Sequence, residues 1–408
     1  MKNPMQSFMR RATDLTRAGW IQEAVAVIQA GLGFRTSAAH SADQKSSKER
    51  NYAKEIHGEL AHAEHVPVAH IPTLQFPTAQ IRPSTVPEIR EMLQPSPAPI
   101  VPHVVADSRP GTFTDGDFAF NGKTHHYKLF VPGAAASSPR AMVVLLHGCT
   151  QDPDDFALGT DMNDIAGAAG WVVLYPAQSA RANHTKCWNW FKSGVEPGAG
   201  EPMWIAALTQ RIQYEQHIDS DRTFIAGLSA GAAMAVLTAE LHPELFKGVG
   251  VHSGLAAHVA ANVMEALSVM KHGPRARQKR FYSTGSTASN PIIPVIVFHG
   301  DADKTVDLEN ADQVIDVAIA RAKQAEPGLV VNESENKGAA NGTSFTQVIY
   351  TGTANRPIAE YWRLHGAGHA WSGGNDRGSH TSASGPSASA EFLRFFAAVS
   401  KAPAEYGN

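Results

Sequence analysis

Gly227-Leu228-Ser229-Ala230-Gly231 follows a short apolar run, Thr223 to Ala226, and opens a small-residue helix, Ala232 to His242. A strand, a sharp turn and a helix therefore meet at one serine. A Gly-x-Ser-x-Gly turn holds its serine in a strained backbone conformation that flanking glycines tolerate, and lifts the hydroxyl clear of the sheet edge. The pentapeptide alone is weak evidence in a 408-residue chain with 34 glycines. Its meaning depends on whether an acid and a histidine follow, in the order Ser, Asp, His that such an elbow requires.

Both follow. Val295 to Phe298 reads as a buried strand that runs into His299-Gly300-Asp301-Ala302-Asp303, so two aspartates sit on the loop at a strand's C-terminal end. Loops at that end carry the active sites of open α/β sheets. Tyr361 to Leu364 is a further strand, and the glycine-rich loop after it, His365-Gly366-Ala367-Gly368-His369-Ala370-Trp371-Ser372-Gly373-Gly374, presents two histidines.

The rest of the later chain repeats this rhythm. Gly111 to Phe120 and His125 to Val131 form a hairpin around Asn121-Gly122, a strong short turn signal. Met142 to Leu146 reads as a strand, Asp155 to Ala169 as a helix, Trp171 to Tyr175 as a strand, and Met203 to Gln216 as a helix leading to the strand before Ser229. Gly248 to His252 and Gln347 to Tyr350 add strands, and Ser387 to Val399 a closing helix. This alternation predicts a mostly parallel sheet covered by helices on both faces. Ala256 to Asn290 has no clear period and reads as an insertion near the site, where lids tend to sit.

The N-terminal part has another character. Residues 1–34 carry two amphipathic stripes, Phe8, Met9, Ala12 and Leu15, then Ile21, Ala24, Val25, Ile28 and Leu32, and read as a short helical segment. Residues 35–106 read as a flexible linker, because ten of the 25 prolines fall between Pro67 and Pro110. Its histidines, His57, His62, His65 and His70, are irregularly spaced and have no cysteine nearby, so no metal is expected there. The catalytic domain is expected over 107–402, with a tail over 403–408. The helices are expected to pack on the main domain or to contact a partner or polymer surface.

Composition excludes several classes. A net charge of −3 gives no basic excess for nucleic acid. No apolar run approaches the roughly 20 residues that span a bilayer. Arg10 and Arg11 are followed by no continuous apolar core, so the N-terminus does not read as a secretory signal. Two cysteines cannot build a structural zinc site, and neither a metal nor a cofactor is expected.

At the end of the Met142 strand lies Leu146-His147-Gly148-Cys149-Thr150-Gln151. In an α/β-hydrolase this loop gives one backbone N–H to the oxyanion hole, here assigned to Cys149, and the residue after the nucleophile, Ala230, gives the other. Trp188, Trp190 and Trp371 stand closest in sequence to these loops, and Trp190 and Trp371 are the candidates for touching substrate, since a flat apolar wall suits an acyl chain or an aromatic acid.

Five motifs, His147-Gly148-Cys149-Thr150-Gln151, Cys187-Trp188-Asn189-Trp190-Phe191, Gly227 to Gly231, His299-Gly300-x-x-Asp303-x-x-Val306 and Gly368 to Gly374, together resemble the polyhydroxybutyrate-depolymerase-type esterases over about Gly111 to Val399. The resemblance implies an α/β-hydrolase fold and a serine esterase acting on poly(3-hydroxyalkanoates), or on the feruloyl and acetyl esters handled by related carbohydrate esterases. One departure is Ala232-Ala233, where a further glycine is expected. The family pattern selects Asp303 over Asp301 as the acid and His369 over His365 as the base, with Ser229 as nucleophile. His147 and His299 then read as hydrogen-bonded supports for their loops. The resemblance also implies a disulfide between Cys149 and Cys187, and suggests an extracellular protein; without a secretory signal, the cytoplasm is the alternative. The rival from another class is a catalytically silent protein that binds a polymer granule or a partner, against which an intact Ser229, Asp303 and His369 speak.

Overall fold

The computed structural model describes residues 111–133, 139–191, 200–274 and 292–401, all within the second of two units, Pro99–Asn408. The expected N-terminal helices, the proline-rich linker, the C-terminal tail and residues 275–290 of the expected insertion lie outside the described residues.

Among the described residues ten strands form one sheet, in the order β1-β2-β4-β3-β5-β6-β7-β10-β9-β8. Its centre is parallel: β4 (Val172–Pro176), β3 (Arg140–Leu146), β5 (Ile218–Leu228), β6 (Val249–His252), β7 (Val295–Gly300) and β10 (Pro357–Leu364). Antiparallel hairpins extend both sides, β1 (Thr112–Phe120) with β2 (Lys123–Val131), and β8 (Asn332–Ala340) with β9 (Thr343–Thr351). Both turn through two residues, Asn121-Gly122 and Asn341-Gly342, with φ of 47° and 72°, and 44° and 81°. Asn-Gly is the pair that accepts two positive φ values in succession, and the resulting turn matches the twist of the strands.

The central strands are apolar without a break because both faces are covered. Met142, Val144 and Leu146 point to one side and pack with helices α3 (Glu201–Glu215), α4 (Ala230–Leu241), α5 (Val263–His272) and α6 (Glu309–Ala325). Ala141, Val143 and Leu145 point to the other and meet α1 (Pro153–Thr160), α2 (Met162–Ala169) and α7 (Ala388–Lys401), where Phe224, Phe298, Phe392 and Phe396 are fully buried.

Several elements differ from expectation. The single helix expected over 155–169 is two, because Asp161 takes φ 50° and ends the first. The expected insertion contains helix α5, capped by the Asn262 side chain on the Glu265 N–H at 3.0 Å. Helix α6 and strand β8 were not anticipated. β8 reads Asn-Glu-Ser-Glu-Asn-Lys and is exposed along most of its length, so it carries no alternating apolar signal; only Asn341-Gly342 announces it.

The join of β5 to α4 is tightly packed. A Cβ added at Gly227 would lie 2.5 Å from the carbonyl carbon of Gly231, and one at Gly231 would lie 2.2 Å from the Leu146 oxygen and 2.5 Å from that of His147. Helix α4 therefore rests directly on the end of β3, which only small residues allow. Gly→Ala inside a helix usually gains about 0.5–1 kcal/mol, but at residue 231 the methyl meets two backbone carbonyls that cannot yield. Gly231→Ala is expected to cost about 1–3 kcal/mol and to lower the thermal midpoint by several degrees; an unchanged or raised midpoint would show that this contact is loose.

Candidate active site

Because β3, β5, β6, β7 and β10 are parallel, their C-terminal ends gather at one edge of the sheet. That edge collects the loop after Leu146, Ser229, His252, the two aspartates after Gly300, and the histidines after Leu364.

Ser229 follows β5 and precedes α4 with φ 57° and ψ −120°, a conformation rare for a residue with a side chain. Its N–H donates to the His252 carbonyl at 2.9 Å, which ties the turn to the end of β6. The helix that starts at Ala230 sets the positive end of its dipole beside the serine.

The expected acid and base meet. His369 Nδ1 is 2.6 Å from Asp303 Oδ2. The other Asp303 oxygen accepts N–H bonds from Thr305 at 2.8 Å and Val306 at 2.9 Å, and the carboxylate is fully buried. Burial pushes this carboxyl up; the hydrogen bond and charge of His369, the Val306 N–H and His299 more than offset it, so its pKa lies below the ordinary carboxylate value. Asp303 is thus an ion at neutral pH, and a proton on His369 Nδ1 shared with it leaves Nε2 as the basic nitrogen. Asp301 forms a separate, more exposed pair with His365, at 2.9 Å.

On the other side of the elbow, the loop after β3 is fixed at many points. Gly148 N–H donates to Gln151 Oε1 at 2.9 Å, Thr150 N–H to the Thr185 carbonyl at 2.6 Å, and Trp188 Nε1–H to the His147 carbonyl at 3.0 Å. Cys149 and Cys187 are joined by a disulfide, which binds this loop to the Cys187-Trp188-Asn189 segment. The same Leu146 and His147 carbonyls abut Gly231, so residues 147–149 run beside the start of α4. The two tryptophans expected to touch substrate are both buried. Trp371 is 0% exposed and Trp190 5%; Trp371 sits between Phe156, His252 and Phe392 and donates to Ser389 Oγ at 3.1 Å. It is core, and in this conformation it offers no wall to a substrate.

Three buried histidines brace the edge. His147 Nδ1–H donates to the Gly148 carbonyl at 2.7 Å while Nε2 accepts the Gln178 N–H at 3.1 Å. His299 Nε2–H donates to the Val306 carbonyl at 2.8 Å. His252 Nε2 accepts the Ser372 N–H at 3.0 Å. The nitrogens that accept at His147 and His252 require neutral rings, and at His299 burial lowers the pKa. Burial lowers His147 to about 4; burial and then the charges of His299 and His369 lower His252 to about 3. His252 and His380 were not singled out in the sequence. His252 could have been, since like His147 and His299 it is a histidine at the end of an apolar strand. His380 gives no such signal: it reaches the site from the far loop, where its Nε2 lies 3.2 Å from Thr150 Oγ1 and the charge of His369 acts on it. Among the described residues no group of His, Cys, Asp and Glu could hold a metal, and no helix is long and apolar enough to cross a membrane.

Neutral buried imidazoles have a consequence for stability. Unfolded, His147 and His252 titrate near 6.5 and bind protons that the folded chain refuses down to about 4 and about 3. The unfolded state is therefore favoured as pH falls through this window, at about 1.4 kcal/mol per unit of displacement. The depressed Asp303 adds its loss only at lower pH, below the carboxylate range. The urea midpoint should decline already between about pH 6.5 and 5; a midpoint flat over that interval would show that neither ring is held neutral.

Residues 125–323 match the protein family described as esterase PHB depolymerase. The chain is 26% identical over 278 residues to poly(3-hydroxyalkanoate) depolymerase C of Paucimonas lemoignei, covering 67% of this chain and 64% of that one. It is 26% identical over 234 residues to feruloyl esterase B of Neurospora crassa, covering 54% of this chain and 76% of the relative. Among solved structures, acetyl xylan esterase from Aspergillus awamori superposes with a TM-score of 0.50 at 21% identity, over 64% of this chain and 94% of that one, a likeness of fold. With its parallel sheet, elbow and covering helices, the chain has the α/β-hydrolase fold, and over residues 125–323 it matches the PHB depolymerase-type esterases.

Proposed function

We propose that the protein is a serine esterase that hydrolyses carboxylic ester bonds through an acyl-enzyme intermediate, with Ser229 as nucleophile, His369 as general base and acid, and Asp303 as the carboxylate that orients it. The observation that carries the reading is the buried His369–Asp303 pair at 2.6 Å, on the same sheet edge as a serine at φ 57°. His252 links the two, since its carbonyl accepts the Ser229 N–H and its ring lies within the fields of His369 and Asp303.

In this mechanism Ser229 Oγ attacks the ester carbonyl carbon as His369 Nε2 takes its proton. The backbone N–H groups of Cys149 and Ala230 receive the oxyanion that forms, each worth about 3–4 kcal/mol of barrier. The carbonyl carbon–oxygen bond to the alcohol then breaks, the departing alkoxide takes the proton from His369, and a water activated by the same imidazole releases the acid. The buried Asp303 anion stabilises the imidazolium during both steps.

The substrate class best supported is poly(3-hydroxyalkanoate), such as poly(3-hydroxybutyrate), on the family match and the depolymerase relative. A second reading, removal of feruloyl or acetyl groups from carbohydrate, is favoured by the alignment over 76% of feruloyl esterase B. Polymer particles, soluble 3-hydroxybutyrate oligomers, methyl ferulate and acetylated xylan assayed side by side would separate these, with the highest kcat/KM expected on the hydroxyalkanoates. Ser229→Ala should lose roughly 10⁴- to 10⁶-fold in turnover on an aryl ester while keeping its thermal midpoint; retention of a tenth of the activity would exclude the serine mechanism. Asp303→Asn should cost about 10⁴-fold and Asp301→Asn far less; the reverse ranking would transfer the acid to Asp301.

A further inference from the structure

We infer that Asp301 and His365 are positioning residues for the esterase reaction: together they clamp the loop that carries His369 against the loop that carries Asp303. The inference rests on the roles proposed above for Ser229, His369 and Asp303, and adds the residues that make their geometry.

The two loops follow neighbouring strands, β7 and β10. What joins them is a set of contacts centred on Asp301. Its Oδ1 accepts the Gly366 N–H at 2.7 Å and its Oδ2 lies 2.9 Å from His365 Nδ1. The other ring nitrogen of His365, Nε2, is 2.9 Å from Thr346 Oγ1 on β9, so the ring is held at both ends. The backbone repeats the stitch: Asp301 N–H donates to the Leu364 carbonyl and Ala302 N–H to that of Ala367, both at 3.0 Å. A Cβ at Gly300 would lie 2.2 Å from the Ala367 oxygen, so the two loops are in direct backbone contact. The clamp ends two residues before Asp303 on one loop and three residues before His369 on the other.

The carboxylate matters here as well as the backbone. Burial raises the Asp301 carboxyl, and the His365 bond, the Gly366 N–H and the charges of His365 and Arg363 more than offset this. It therefore stays ionised and accepts both bonds across the neutral range. A glycine-rich segment, Gly366-Ala367-Gly368, leads from the clamp to His369. Such a segment has many conformations of similar energy, and the bidentate grip on its first residues removes most of them. Misplacing a catalytic group by about 1 Å can cost on the order of 10²-fold in rate.

The test is kcat and KM on a short-chain aryl ester for Asp301→Ala, Asp301→Asn, His365→Ala and the double variant Asp301→Ala/His365→Ala, each assayed well below its own thermal midpoint. The expected result is a fall in kcat of about 10- to 100-fold for Asp301→Ala with KM little changed. Asp301→Asn, which keeps an oxygen for the Gly366 N–H, recovers part of it. The double variant is no worse than the worse single one, since the residues act as one unit. Wild-type kcat in the folded variants, with at most a lower thermal midpoint, would overturn the inference. Should Asp301→Ala fail to fold, Asp301→Asn and His365→Ala decide by the same two readouts. An inference that fails in this way leaves Ser229→Ala inactive; an error in the catalytic assignment itself leaves Ser229→Ala active.

Discussion

The contact on which the rest of the structure depends is that of Gly231 with the backbone carbonyls of Leu146 and His147. It lets helix α4 begin immediately after β5, and so forces Ser229 into φ 57° at the edge of the sheet. A residue with a side chain accepts such a conformation at a cost on the order of 1–3 kcal/mol, sustained here by a buried sheet and helices on both its faces. The same contact sets the loop carrying Cys149 against the first turn of α4. One close approach thus fixes both the proposed nucleophile and the backbone that would face its product.

Around this point the fold separates two kinds of histidine. His147, His252 and His299 are buried, bound to backbone groups and held neutral, and they shape the loops. His369 is paired to a buried carboxylate and is partly open to solvent, the state a proton carrier needs. The distinction comes from partners: a carbonyl or amide partner fixes one tautomer, whereas a carboxylate stabilises a ring that gains charge. Asp301 and His365 repeat the carboxylate–imidazole pairing nearer to solvent, on loops that touch the reactive pair.

Much of this was legible in the sequence. The elbow, the continuous apolar strands and the Asn121-Gly122 hairpin are local patterns whose physics lies within a few residues, and the family fold inferred from five ordered motifs is the one observed. The break at Asp161 was missed, because an aspartate in the left-handed region looks like any helical aspartate. Strand β8 was missed because an exposed edge strand needs no apolar alternation. Sequence proximity to His369 does not reveal that the Trp371 ring turns inward onto Phe156 and Phe392. His252 ends an apolar strand as His147 and His299 do, whereas His380 enters through tertiary contact alone, from a loop more than ten residues past His369. The choice between Asp303 and Asp301 rested on family pattern, and the separate pairing of each aspartate with its own histidine is visible only in three dimensions.

Ser229 is proposed as the group that becomes covalently modified during turnover. Incubation with a fluorophosphonate, followed by intact mass and peptide mapping, tests it directly. The account predicts one adduct per chain, on Ser229, formed slowly or not at all in His369→Ala and absent in Ser229→Ala. An adduct on another residue, or labelling of Ser229→Ala at the wild-type rate, would contradict it.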